Sequence, residues 1–343
     1  MGGHKHPGER LTQETNIAII GSGSWGATLS VLFAGGGLNV RLYSRSPEKA
    51  ARLQKTHLIE SPLRIELPPQ VTIFDDLAAA VDQAHLVILV CTSQSTRSVA
   101  SQLAKVLGKE TIAVVSAVKG LELTTSKRMS EVVAEFITDI PICSLSGPNL
   151  AGEILAGLPA ASVVACKDVA VAANVQKLLS VSNFRVYSNE DLIGVELGGT
   201  LKNVIAIAAG VSDGLKLGSN AKSALLTRGL AEMTRLAVGM GAKAITLAGL
   251  AGMGDLFATC AGPASRNYRL GMELAQGKPM AEILHNLGAI AEGVTTAEAV
   301  CELSKQLGLE LPIAEQVNAI LKGISTPKGA IMTLMGRPPS TEY

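Results

Sequence analysis

Residues 16–45 read NIAIIGSGSWGATLSVLFAGGGLNVRLYSR, and the order of apolar runs and glycines in this stretch decides the fold. Residues 17–20 are short, aliphatic and without a polar break, the mark of a buried strand. Gly21, Gly23 and Gly26 follow at G-x-G-x-x-G spacing, and small residues open a helix at Ala27. A second apolar strand over 40–43 closes a β-α-β unit of the length a dinucleotide site requires. Gly21 permits the tight turn, Gly23 lets a pyrophosphate approach the backbone, and Gly26 lets helix and strand pack closely. The helix start offers free N–H groups and the positive end of its dipole to phosphates. Many glycine-rich turns match this spacing alone. Its place between a strand and a helix, with a second strand at the right distance, makes a dinucleotide the expected ligand.

Just beyond, Arg45 stands where NAD-selective sites place an acidic residue for the ribose hydroxyls. A guanidinium there favours a 2′-phosphate, so NADPH/NADP is the expected cofactor and NADH/NAD the second choice. The plain alternative is that Arg45 begins a solvated loop. Pro47 starts a short polar helix, and 56–70, with three prolines, reads as an irregular connection. Alternation then resumes: a strand over 71–74, Asp75 as helix cap, a helix over 76–81, and a fully apolar strand over 86–91. A hydroxyl-rich turn leads into a helix over 97–107. Further strands are expected over 111–117, 142–145, 162–165 and 184–187, with a helix over 169–179. Ligands of doubly wound sheets collect beyond the carboxyl ends of the strands. The glycine loop, Ser93, Lys119 and the turn from Gly147 to Asn149 all fall at such ends.

After residue 190 no convincing strand follows. Helical patterns cover 192–211, 221–239, 267–275, 281–287, 295–307, 314–321 and 328–334. The expected fold class is therefore α/β: an N-terminal Rossmann-like doubly wound sheet followed by an all-α C-terminal domain. Its parts are a disordered arm over 1–15, a dinucleotide-binding domain over 16–190, a helical substrate-binding domain over 191–335 and a loose tail over 336–343. Length supports two cores, since 343 residues exceed what one usually serves. With 47% hydrophobic but only 3% aromatic residues, the interior is packed with small aliphatic side chains. A net charge of +1 argues against a nucleic-acid or anionic-membrane binder. Five scattered cysteines without a C-x-x-C pair indicate neither a metal site nor a disulfide framework, and point to reduced thiols in the cytoplasm. The polar start lacks the apolar region of a signal peptide, and His4 and His6 read as part of a frayed arm. Residues 236–257 are mostly apolar but carry Lys243, Asp255 and several glycines, so they read as buried helices rather than a membrane span.

Three clusters carry candidate chemistry. In LKNVIAIAAGV, residues 201–211, Lys202 and Asn203 are the only polar side chains. A partly buried ammonium has a lowered pKa and becomes a proton donor or acceptor near neutrality. Ketone reduction needs such a donor at the developing alkoxide, and an amide can orient it. A single lysine on a helix is otherwise simply solvated. Asp255, within GLAGMGDLFATC, either positions that lysine or a substrate hydroxyl, or caps a helix from Leu256. Ser265, Arg266 and Asn267 open a helix and make a phosphate-sized anion site, or a capping turn with an exposed arginine. Glu292 and the residues after it fit a capping turn as well.

Seven segments in register give a more specific reading: IGSGSWGATLS, SAVKGLE, LSGPNLAGE, ELGGTLKNVIAIAAG, GLAGMGDLFATC, SRNYRLG and AEGVTTA. From about Asn16 to Leu334 the chain resembles the NAD(P)-dependent glycerol-3-phosphate dehydrogenases of the bacterial type. The resemblance implies reduction of dihydroxyacetone phosphate to sn-glycerol 3-phosphate, feeding glycerophospholipid synthesis, in a cytoplasmic homodimer without a metal. It implies that Lys202 is the proton donor or acceptor at the C2 oxygen. Lys119 would touch cofactor and substrate, Gly147 and Asn149 the substrate, and Ala151 the cofactor. Asp255, Ser265, Arg266 and Asn267 would bind glycerol 3-phosphate, with Asn203 beside them. Ser24, Trp25, Arg45, Arg266 and Glu292 would be cofactor contacts. Asn149 departs from the Ser or Thr common at its position. The nearest competitors are a ketopantoate or 6-phosphogluconate reductase relative and, from another class, a non-catalytic nucleotide-sensing module.

Overall fold

The structure, a computed structural model, describes residues 15–287, 291–339 and 341. The expected arm, with His4 and His6, lies outside these residues apart from Thr15, as does part of the expected tail. Ten strands are present among the described residues: β1 Asn16–Ile20, β2 Asn39–Tyr43, β3 Leu58–Ile59, β4 Ile65–Glu66, β5 Val71–Phe74, β6 Leu86–Leu89, β7 Ala113–Ser116, β8 Ile142–Ser146, β9 Ala160–Cys166 and β10 Phe184–Asn189. Eight form one sheet in the order β10-β9-β8-β7-β6-β1-β2-β5, and β3 and β4 form a small hairpin. The strand β1 shows why these sequences fold as they do. Ile17 and Ile19 join the core on one sheet face while Ala18 and Ile20 join the core on the other. A strand covered by helices on both faces must be apolar throughout, as this run is.

The sheet is parallel from β5 to β8, but β9 pairs antiparallel with β8, and β10 runs parallel to β9. The reason is local. The connection over 147–159 holds only the five-residue helix Ala151–Leu155, too short to serve as a crossover, so the chain turns back beside β8. The four strand ends singled out above therefore belong to adjacent parallel strands, in the order β1, β6, β7, β8. Other corrections are small. The irregular connection over 56–70 contains the β3–β4 hairpin. The helix cap before Leu77–Val81 is Asp76 rather than Asp75, its carboxylate accepting the N–H of Ala79. The helix expected over 97–107 is Thr96–Leu103, and short helices at Met129–Ala134 and Ala151–Leu155 went unread.

From Asp191 onward the described chain is helical. Asp191 caps the 23-residue helix Leu192–Gly214 through Gly194 N, and its second oxygen accepts the N–H of Lys243. This helix, about 34 Å long, is the axis of the second core. By length and composition it alone among the described residues could cross a membrane, yet 89% of its apolar window is buried inside the fold. It nearly touches the helix Arg266–Ala275 along its flank. A Cβ at Gly210 would stand 2.0 Å from the Tyr268 carbonyl oxygen, and one at Gly271 would stand 2.0 Å from that of Ile207. Only hydrogen fits at either position.

A buried ion pair ties the two halves together. The Arg128 guanidinium, in the loop after β7, donates to Glu196 on the central helix at 2.8 Å. The same carboxylate accepts from Ser130 N at 2.7 Å and Ser130 Oγ at 2.6 Å. Removing one partner of such a pair strands the other charge away from water. Glu196→Ala is therefore expected to lower unfolding free energy by about 3–5 kcal/mol. A denaturant midpoint unchanged from the parent protein would contradict this.

Candidate active site

The glycine loop is built for an anion. Gly21 has φ +131, and a Cβ there would meet Val90 O at 2.8 Å, so the turn is pressed against the end of β6. A Cβ at Gly26 would lie 1.9 Å from Gly21 O, which fixes the helix Ser24–Gly35 against the turn. At Gly23 the same test meets nothing within 4 Å, and no side chain caps the helix there. The first N–H groups are thus left to a ligand, which fits a dinucleotide pyrophosphate. Ser24 and Trp25 form the half-buried first turn, and Arg45 is exposed just past β2. Ala151 opens the short helix that packs on Ser24–Gly35.

Along the sheet edge, a Cβ on Gly120 would touch Ser93 at 2.8 Å, so the ends of β6 and β7 abut. This sets Lys119 facing the helical half. Its ammonium donates to the Gly147 carbonyl at 3.3 Å and to Asp255 Oδ2 at 2.6 Å. Lys202 donates to the other oxygen, Asp255 Oδ1, and to Thr259 Oγ1 at 2.6 Å. Asp255 is 1% exposed and Lys202 7%, so a buried carboxylate joins the buried Lys202 ammonium to that of the partly exposed Lys119. Asp255 is not the helix cap of the alternative reading. Gly254 holds that position, and Asp255 is the first residue of the helix Asp255–Cys260, where the dipole favours a negative charge. A π-helical turn, Leu250–Gly254, delivers it there.

The electrostatics follow from burial. Loss of water pulls the Lys202 ammonium down to about 8, with Asp255 opposing and Lys119 assisting the fall. An ammonium has three N–H donors. Lys202 commits two, to Asp255 and Thr259, and keeps one for a ligand oxygen. Two lysines against one carboxylate leave a local positive charge, which suits an anionic substrate.

The third cluster completes this charge. Ser265 caps the helix Arg266–Ala275 by accepting the N–H of Tyr268 at 3.3 Å, so its hydroxyl oxygen is engaged by the backbone. Arg266 is exposed and forms no ion pair among the described residues. Asn267 accepts the N–H of Gly293 at 3.1 Å through Oδ1, which leaves its Nδ2 donors for a ligand. A Cβ on Gly293 would fall 2.7 Å from Asn267 Oδ1 and 2.9 Å from the Asn203 carbonyl oxygen, so these three segments converge. Glu292, next to Gly293, is half-buried. Loss of water pushes its carboxyl up to about 7, against the pull of Arg266, Lys119 and Lys202.

Lys119, Gly147, Lys202 and Asp255 are directly bonded into one group, and Asn203, Asn267 and Glu292 meet around Gly293. Asn149 stands apart in one respect. Its Nδ2 donates to Ala161 O at 3.0 Å and its Oδ1 accepts from Ser162 at 3.0 Å, so the amide holds the turn to β9. Thr259, one helical turn after Asp255 in the sequence and hence on the same helix face, belongs to the group as well.

Comparison with known proteins bears on the whole chain. The profile of the N-terminal part of the NAD-dependent glycerol-3-phosphate dehydrogenases matches residues 16–172, and that of their C-terminal part matches residues 191–332. The glycerol-3-phosphate dehydrogenase (NAD(P)+) of Geobacter metallireducens is 45% identical over 330 residues, covering 95% of this chain and 98% of the relative. That of Geobacter sulfurreducens is 46% identical over 325 residues, covering 94% and 97%. Among solved structures, a glycerol-3-phosphate dehydrogenase from Coxiella burnetii aligns with a TM-score of 0.89 at 36% identity, over 95% of this chain and all of that one. A ketopantoate reductase from Ralstonia eutropha aligns with a TM-score of 0.59 at 18% identity, over 92% of this chain and all of that one, a likeness of fold alone.

Proposed function

The chain belongs to the NAD-dependent glycerol-3-phosphate dehydrogenase family, and from that premise we propose which of its residues perform the reaction. The enzyme is an oxidoreductase acting on a CH–OH group, and it reduces dihydroxyacetone phosphate to glycerol 3-phosphate with NAD(P)H. A dinucleotide held through its pyrophosphate on the glycine loop would supply or accept the hydride at C2 through its nicotinamide. Lys202 handles the proton. Below about 8 its ammonium form prevails, and the uncommitted N–H protonates the C2 oxygen as negative charge develops there. In the reverse direction the neutral amine accepts that proton. Asp255 and Thr259 hold the Lys202 nitrogen in place, and Lys119 adds positive charge beside the same carboxylate. Arg266 and the Asn267 amide, at the start of their helix, hold the substrate phosphate. Gly147 and Asn149 shape the substrate wall, with Ser265 and Asn203 framing the phosphate end. Ala151 and Glu292 lie on the cofactor side, with Ser24, Trp25 and Arg45.

One observation carries this reading: a buried carboxylate holds two lysines, one from each half of the molecule, on the side of the sheet where the glycine loop opens. The matching experiment is Arg266→Ala assayed with dihydroxyacetone phosphate and with unphosphorylated dihydroxyacetone. The loss should fall on the phosphorylated substrate, by about 10–100-fold in kcat/KM for a charged hydrogen bond. Equal losses for both substrates would remove Arg266 from the phosphate. Arg45 supports NADPH over NADH as the preferred cofactor, because it stands just past β2 where an NAD-selective site places an acidic residue for the ribose hydroxyls. A cytoplasmic homodimer is supported by five unpaired thiols and by Met332 and Met335, which stand 75% and 81% exposed on the helix Pro327–Met335. Sedimentation at working concentration tests the dimer, and a monomer there would exclude it.

A further inference from the structure

Beside the glycine loop lies a basic residue that the mechanism above does not use. The helix Pro47–Thr56 starts directly after β2, and Lys49 sits in its first turn. A cation there faces the positive end of the helix dipole, a position that is unfavourable without an anion nearby. Lys49 nevertheless reaches inward, and its ammonium donates to the carbonyl of Ser22, within the glycine loop, at 2.7 Å. Ser22 Oγ in turn bonds Ser44 Oγ, at the end of β2, at 2.8 Å. Lys49 is therefore fixed between the loop that takes the pyrophosphate and the strand end that takes the adenosine ribose.

Arg45 lies four residues before Lys49 in the chain, Arg52 acts on Lys49 through its charge, and none of the three takes part in an ion pair among the described residues. Burial, with Arg52 second, draws the Lys49 ammonium below its ordinary value. Glu48 is exposed on the same turn. Asp75 and Asp76 act on the Tyr43 phenol, and Asp76 also caps the next helix. An anion bound beyond the end of β2 would give Arg45 and Lys49, which lack an ion-pair partner among the described residues, a counter-charge. A 2′-phosphate on the ribose is the group that distinguishes the two nicotinamide cofactors at this place.

We propose that Lys49 is a second cation for the 2′-phosphate, acting with Arg45 to set the preference for NADP(H) over NAD(H). The inference rests on the NADPH reading above. Of its three donors Lys49 commits one to Ser22 O, and the others remain for phosphate oxygens. Its bond to Ser22 also predicts how charge and loop support can be separated. Lys49→Gln keeps a donor for Ser22 O and removes the charge, whereas Lys49→Met removes both.

The test is calorimetric titration of the full chain with NADP+, NAD+ and the fragments 2′,5′-ADP and 5′-AMP, with thermal melting to confirm folding. Lys49→Gln should weaken NADP+ and 2′,5′-ADP by about 10–100-fold, the range for a charged hydrogen bond, while NAD+ and 5′-AMP bind as to the parent protein. The loss should shrink as salt is raised. Lys49→Gln binding NADP+ like the parent, or losing NAD+ and NADP+ equally, would overturn the proposal, the second result reducing Lys49 to a support for the loop. If the unaltered protein binds 2′,5′-ADP no better than 5′-AMP, the NADPH reading itself fails and the role of Lys49 fails with it. That failure is recognised by its appearance before any substitution.

Discussion

Replacing Lys202 by alanine is expected to lower kcat by about 10²–10⁴, the contribution of a positioned general acid. Turnover within a few fold of the parent would remove Lys202 from its role. The pH profile supplies an independent check. With the Lys202 pKa at about 8, reduction needs the protonated form and should slow as pH rises through that value. Oxidation of glycerol 3-phosphate needs the neutral form and should quicken over the same interval. Parallel profiles in the two directions would sink the assignment. The same depression acts on stability. Between about 8 and the ordinary 10.5, the unfolded chain holds a proton on Lys202 that the folded chain lacks. The contribution of this residue to stability therefore rises with pH across that window and is lowest below it.

Asp255→Asn should do comparable damage by another route. The amide keeps the shape of the carboxylate but leaves two ammonium groups facing each other without a counter-charge. Stranding buried charges in this way costs about 3–5 kcal/mol. It also removes the influence that raises the Lys202 pKa, so the fall in reduction rate should begin at lower pH than in the parent. Adding Lys119→Met should return part of the lost stability, because one of the stranded charges is then gone. A double variant no more stable than Asp255→Asn alone would show that Lys119 and Lys202 do not share this carboxylate.

The parts of the fold legible in the sequence are those with a strong local cause. The strand β1 and the glycines after it were readable because an unbroken aliphatic run and a fixed spacing leave few alternatives. Several helix starts in the second half were placed late, as with Gly218–Gly239, expected from 221, and Glu292–Leu307, expected from 295. First turns are polar, and an apolar period begins only after them. The reversal of β9 was not readable, since it depends on how short a neighbouring helix turns out to be. The candidate site divides the same way. Lys202 betrayed itself as a charge among apolar neighbours. Arg128 and Glu196, 68 residues apart in the chain, gave no local sign of each other, and Lys49 looked like any lysine on a polar helix until its bond to Ser22 placed it.

The close approach of two helices at Gly210 and Gly271, each pressed on the backbone of the other helix, separates what this molecule can alter from what it cannot. Two backbones meeting at 2.0 Å from any added Cβ admit neither a compensating pair of substitutions nor a gradual one, because no smaller side chain exists to exchange. The substrate half is therefore held to one arrangement, with Lys202 and Arg266 carried on the two helices so joined. The side chains of Arg45 and Lys49 meet solvent and are free to vary without disturbing that joint. With the roles proposed for Arg45 and Lys49, descent of such a chain can redraw its choice of reductant while the joint beneath Lys202 and Arg266 stays welded in place.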